Sequence, residues 1–195
     1  MNVQVIVGST RPGRATLSVA KWAAAEATNV DGVTVEIVDL QDYPMPFFNE
    51  AISPRYNSNR QPAPEVQKWL DKLTEADAYV FVTPEYNHST TGVLKNALDF
   101  LTYEMKQKPA TVVSHGSVGG ARATIHLKEI LSETAATIIP SSVQLVGMVA
   151  MGGLIDDDGN LDETVKANPY GPQGALVKMW QDLVWHANAL KAARS

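Results

Sequence analysis

The stretch Val3-Gln4-Val5-Ile6-Val7-Gly8-Ser9-Thr10-Arg11-Pro12-Gly13-Arg14 begins as a β-branched apolar run and breaks at Gly8 into small, hydroxyl and guanidinium side chains. A helical spacing of Leu17, Ala20 and Ala24 follows, so the segment reads as strand, loop and helix. Four more short runs of the same character recur, at Val33 to Val38, Ala78 to Val82, Thr111 to Ser114 and Val143 to Val149. Between them lie apolar stripes at helical period: Val66/Trp69/Leu70/Leu73, Leu94/Ala97/Leu98/Leu101 and Leu127/Ile130/Leu131. A last helix carries Leu176/Trp180/Leu183/Val184/Ala187/Leu190. Alternating strands and helices require parallel strands with right-handed crossovers and helices on both faces. The expected fold is α/β, a doubly wound five-stranded parallel sheet.

The chain has 195 residues, room for one domain with a sizeable core, and residues 1–195 show no repeat, low-complexity tract or linker. Sixteen Lys plus Arg against twenty-one Asp plus Glu give a net charge of -5, which offers no global field for nucleic acid or acidic lipid. With no cysteine, thiolate catalysis, disulfides, iron–sulfur clusters and Cys-zinc sites are excluded, and redox work needs a borrowed cofactor. No basic leader with an apolar core opens the chain, and no apolar stretch is long enough to span a bilayer. The expectation is a cytoplasmic protein that binds neither nucleic acid nor membrane.

Three loops carry the chemistry. Gly8 to Arg14 sits between the first strand and first helix, where free amides and the helix dipole attract an anion. Ser9 and Thr10 can donate hydrogen bonds, and Arg11 can pair bidentately with phosphate. The loop lacks both the Lys-Ser/Thr of a nucleotide P-loop and the G-x-G-x-x-G dinucleotide fingerprint, which points to a terminal monophosphate. Pro84 to Gly92 leaves the third strand, with Tyr86 as an aromatic surface and Ser89, Thr90 or Thr91 as helix caps. In doubly wound sheets, loops after strands one and three flank one crevice where the strand order reverses. Ser114 to Arg122 follows the fourth strand, and its glycines allow close backbone approach to a ligand. Its order does not match a nucleophile elbow, so Ser117 receives no nucleophilic role.

On G-S-T-R at Gly8 to Arg11, P-E-Y-N at Pro84 to Asn87, G-V-L-K-N-A-L-D at Gly92 to Asp99 and G-S-V-G-G-A-R-A at Gly116 to Ala123, the chain resembles the NADPH-dependent FMN reductase family. This is a flavodoxin-like group that includes azo, quinone and chromate reductases. The resemblance implies strand order 2-1-3-4-5, bound FMN, and NADPH or NADH as a transient donor. It also implies phosphate contacts from Ser9, Arg11 and the amides after them, and ring contacts from Pro84 to Asn87 and Gly116 to Gly119. The cofactor-binding set is therefore Ser9, Thr10, Arg11, Gly13, Arg14 and Thr16; Pro84, Glu85, Tyr86, Asn87 and Ser89; and His115, Gly116, Ser117 and Gly119. The chain departs from the family at Arg14, where a Ser often stands, and at Thr91, where a Pro often stands. Thr16 is one replacement for the missing hydroxyl, and Arg14 is a candidate for the nicotinamide nucleotide phosphate instead.

No catalytic side chain and no metal site are assigned. His88 and His115 lie in the candidate loops but are read as structural, His126 and His186 as surface or packing residues, and Asp156 to Asp158 as a solvated acidic turn. Lys95 and Arg122 are read as exposed charge or phosphate partners, and the loop from Ala51 to Pro64 as a plain connection or a border of the site. Tyr43, Phe47 and Phe48 are candidates for an acceptor pocket or for core or subunit packing. The expected activity is hydride transfer through FMN from NAD(P)H to a small acceptor: a quinone, azo compound, free flavin or metal oxyanion. A flavodoxin-like electron carrier that does not oxidise NAD(P)H is the alternative. The expected assembly is a homodimer or homotetramer.

Overall fold

The computed structural model describes residues 1–147 and 152–194. Strand β1 (Asn2–Val7) leads to α1 (Thr16–Glu26), β2 (Thr34–Asp39), α2 (Pro64–Thr74), β3 (Ala78–Pro84), α3 (Gly92–Asp99), β4 (Pro109–Gly116) and α4 (Ala121–Glu133). Two short strands, β5 (Thr137–Ile138) and β6 (Val143–Val146), precede the C-terminal helix α5 (Pro172–Arg194). All pairings are parallel, in the order β2-β1-β3-β4-β5, with β6 also on β4. The expected flavodoxin-like order 2-1-3-4-5 is thus present.

Strand period decides the layers. Val3, Val5 and Val7 of β1, with Ala78, Val80 and Val82 of β3, face α1 and α5; Ile6, Tyr79 and Phe81 face α2, α3 and α4. Because both faces are covered, β3 is buried at every residue. Indoles tie the helices without leaving orphan donors: Trp180 Nε1 donates to the Ala23 carbonyl at 2.9 Å and Trp69 Nε1 to the Ala97 carbonyl at 3.0 Å.

Three sequence expectations shift. The buried face of α1 is Thr16, Val19, Ala20, Trp22 and Ala23, while Leu17 and Ala24 lie at its margin. An alanine-rich helix offers too little contrast for its stripe to be placed by apolarity alone. The fourth strand runs on through His115 and Gly116, which pair with Leu145 and Val146, so the third loop starts later than expected. The fifth strand is split: Ala110 faces Ile138 and Val113 faces Val143, so three steps along β4 are met by five on its neighbour. Pro140, which has no N–H for the ladder, lies in that excess. The expected end of this strand at Val149 lies outside the described residues.

Candidate functional site

At the carboxyl ends of β1, β3 and β4 lies a cleft of about 710 Å³. This is where doubly wound sheets place ligands, and the volume suits a small organic molecule. Arg11, Gly13, Arg14 and Thr16 line it from the first loop, Pro84, Glu85 and Tyr86 from the second, and His115, Gly116 and Ser117 from the third. The remaining expected residues stand behind or beside it. Ser9 is buried, within 3.4 Å of both the Tyr86 hydroxyl and the Arg11 amide; Thr10 is half-buried; Gly119 packs against Gln144.

The first loop has the features of an anion site. No side chain caps α1 and no acid lies in its first turn, so its positive end is left open. Arg11 is exposed, lines the cleft and makes no ion pair among the described residues. Gly8 is fixed by close approach: its N–H donates to the Val82 carbonyl at 2.8 Å, and a Cβ there would meet that oxygen and Leu94 Cδ2, both at 2.8 Å. Thr91 explains its own departure from the family. Its hydroxyl donates to the Gly8 carbonyl at 2.5 Å and accepts from the Leu94 amide at 3.1 Å, capping α3 and joining the first two loops.

Arg14 turns elsewhere. Its guanidinium pairs with Asp39 at the end of β2 and donates to Gln41 Oε1 at 2.7 Å. Thr16 is fully buried, with its Oγ1 2.9 Å from His115 Nε2, so that hydroxyl joins the start of α1 to the end of β4. His115 is itself buried, and burial pushes its imidazole down to about 4. At neutral pH it is uncharged.

Glu85 has a destination that sequence alone does not disclose. Its carboxylate crosses to α4, accepting from the amides of Arg122 at 3.1 Å and Ala123 at 3.4 Å and pairing with the Arg122 guanidinium. Burial by itself raises a carboxyl, but Arg122 and these amides outweigh it and hold Glu85 below the usual carboxylate range. The α4 N-terminus, where the backbone cap Gly120 has φ of +74°, is thereby neutralised from a neighbouring loop. Glu85→Gln is expected to destabilise the protein by about 1 kcal/mol, a modest figure because Arg122 remains 43% exposed to screening solvent. Urea unfolding at pH 7 measures it, and an unchanged midpoint would remove the cap assignment.

Tyr86 and Ser89 close the second loop by exchanging backbone hydrogen bonds at 2.9 and 3.0 Å. Asn87 and His88 between them have φ of 49° and 70°, the signature of a type I′ turn, and both residue types tolerate that region comparatively well. Neither lines the cleft, and Ser89 Oγ lies 3.3 Å from His126 Nδ1. Lys95 pairs with Asp99 along α3. Tyr43 packs edge-on against Trp69 and Phe48 against Phe100, while Phe47 is 88% exposed. The loop from Ala51 to Pro64 contributes nothing to the cleft.

One wall went unread in the sequence. Gly153, Ile155 and Asp157 also line the cleft, the last two on a small hairpin closed by the Ile155–Leu161 bridge that Gly153 precedes. Asp156 builds its turn, accepting from the amides of Asp158 at 3.0 Å and Asn160 at 2.7 Å. The legible signal was D-D-D-G-N between the apolar Ile155 and Leu161, a turn flanked by two inward residues. Among the described residues no group of three or more metal-ligating side chains is present, and no helix is long and apolar enough to cross a membrane.

Comparison with known proteins agrees with this geometry. The sequence pattern of the NADPH-dependent FMN reductase family matches residues 1–150. An NAD(P)H-dependent FMN reductase of Schizosaccharomyces pombe is 32% identical over 139 residues, 71% of this chain and 70% of that protein. An NAD(P)H:quinone oxidoreductase of Solanum tuberosum is 34% identical over 137 residues, 67% of this chain and 66% of that one. Among solved structures, the flavoenzyme NAD(P)H:(acceptor) oxidoreductase FerB of Paracoccus denitrificans superposes with a TM-score of 0.70 at 25% identity, covering 95% of this chain and 98% of its own. With three-quarters of its length matched by one pattern, this chain is an oxidoreductase belonging to the NADPH-dependent FMN reductase family.

Proposed function

We propose that this chain holds FMN with its phosphate on the open end of α1 beside Arg11 and its ring between the Pro84–Asn87 and Gly116–Gly119 segments. NADH or NADPH serves as donor and a small molecule as acceptor. The observation that carries the reading is the uncapped α1 terminus with an unpaired arginine, opening into the cleft at the strand ends. Held by Arg11 and the α1 amides, FMN would supply the redox chemistry between nicotinamide donor and acceptor.

The chain's own residues position and neutralise. Arg11 and the α1 amides hold the phosphate, while Thr91 and the Ser9–Tyr86 contact keep the first two loops in register. Burial keeps His115 uncharged at neutral pH, which favours a pinning role over proton transfer and leaves the remaining proton to solvent in an open cleft. Quinones, azo compounds, free flavin and metal oxyanions are the acceptor classes proposed, and the cytoplasm is the proposed compartment. The exposed Phe47, beside the exposed Pro44 and Pro46, supports assembly into a homodimer or homotetramer.

Purified protein is expected to show a flavin spectrum or take up FMN, and to bleach on anaerobic NADPH or NADH with recovery on adding a quinone. Bound flavin that neither donor bleaches would make the chain an electron carrier instead. Sedimentation of the same sample is expected to show at least a dimer, and an active monomer would refute the assembly.

A further inference from the structure

Two of the four acidic and guanidinium side chains lining the cleft are committed to ion pairs. Arg14 is paired with Asp39, and Glu85 with Arg122. Of the charged residues lining the cleft, Arg11 and Asp157 are the two that enter no ion pair among the described residues. Asp157 is exposed on the hairpin wall. Its neighbour Asp156 is committed to the turn, and Asp158 does not line the cleft. Lys21 is the cation that touches Asp157, but its ammonium is held by the Asp157 carbonyl oxygen at 2.6 Å and makes no ion pair with the carboxylate.

We propose that Asp157 is a specificity-determining residue that biases this enzyme toward the nicotinamide donor lacking a 2′-phosphate, NADH over NADPH. The inference rests on the NAD(P)H reading above and extends it to the choice of donor. A phosphate monoester carries roughly −1.5 to −2 charge at neutral pH. With one such group of FMN placed on Arg11, phosphate and Asp157 together outweigh Arg11 and the neighbouring Lys21 ammonium, and the cleft faces solvent with a small net negative charge. A donor with a further phosphate monoester meets that excess, whereas a ribose 2′-hydroxyl can donate a hydrogen bond to a carboxylate. The hairpin holds Asp157 in place, because Ile155 and Leu161 are buried in the core and Gly159 packs against Lys21 and Trp22 of α1. It also lies past residue 150, where the family pattern ends.

The test uses FMN-loaded protein. Calorimetry gives the affinities for NAD⁺ and NADP⁺, and stopped-flow gives the rates of flavin reduction by NADH and NADPH. The wild type is expected to favour the NAD form, and Asp157→Asn to move both ratios toward the phosphorylated form by about three- to tenfold. The shift should shrink at high ionic strength. Asp158→Asn, which removes the same charge outside the cleft, is expected to leave the ratios alone. A wild-type preference for NADPH, unchanged ratios in Asp157→Asn, or an equal shift in Asp158→Asn would each overturn the proposal while donor use stands. If neither donor binds or reduces the wild-type flavin, the NAD(P)H reading itself fails and carries this proposal with it.

Discussion

Arg11→Ala is expected to weaken FMN binding roughly ten- to hundredfold while leaving riboflavin affinity unchanged. A charge-assisted contact to phosphate is worth about 1.5 to 3 kcal/mol, and here no second side chain caps the same helix end to take over the load. Arg14, three residues on, cannot substitute without abandoning Asp39 and Gln41. Arg11→Lys should recover only part of the loss, since an ammonium restores charge but not the two-pronged geometry. Calorimetric titration of both ligands against both variants measures this. An equal loss for FMN and riboflavin would show that the substitution disturbs the loop and that the phosphate does not sit there.

The second large effect concerns acid. His115 in the folded chain is pushed by burial to about 4, against an ordinary value of 6.5. Between these values the unfolded chain binds a proton that the folded chain refuses. Its contribution to stability is therefore complete above pH 6.5, falls as pH drops, and is exhausted below about pH 4. The full span corresponds to about 3 kcal/mol, and within the window the slope approaches about 1.4 kcal/mol per pH unit. Glu85 and Asp77 are held below their ordinary carboxylate values, so between pH 6.5 and 5 they remain ionised and contribute little to the slope. Urea unfolding across that window should show the decline in wild type and a much flatter line in His115→Gln. Parallel slopes would mean that His115 titrates normally and that its bond to Thr16 does not depend on an uncharged ring.

The strands were readable because parallel sheets covered on both faces write themselves as β-branched runs, and β1, β3 and β4 do so. What was not readable depends on partners distant in sequence. Nothing around Glu85 announces that its carboxylate will cap a helix 37 residues later, and nothing near Arg14 announces Asp39 at the next strand's end. Thr16 and His115, separated by 99 positions, meet only because β1 and β4 flank β3. The three loops were located by their place after strands, the third expected from Ser114 but beginning after Gly116 in the fold. The direction of each side chain within them is set by packing that local pattern does not encode. Thr137–Ile138 escaped notice for a simpler reason: two residues before a proline are too short to show a period.

The break in the fifth strand bears on how this protein behaves in crowded solution. An outer strand with an unbroken row of free amides and carbonyls is a template on which another chain can add itself, and long flat edges invite such stacking. Here that margin is cut into pieces of two and four residues by the two-residue excess around Pro140. A foreign strand in register with the first piece is out of register with the second. Self-association through this side of the sheet would therefore have to stop after a few bonds.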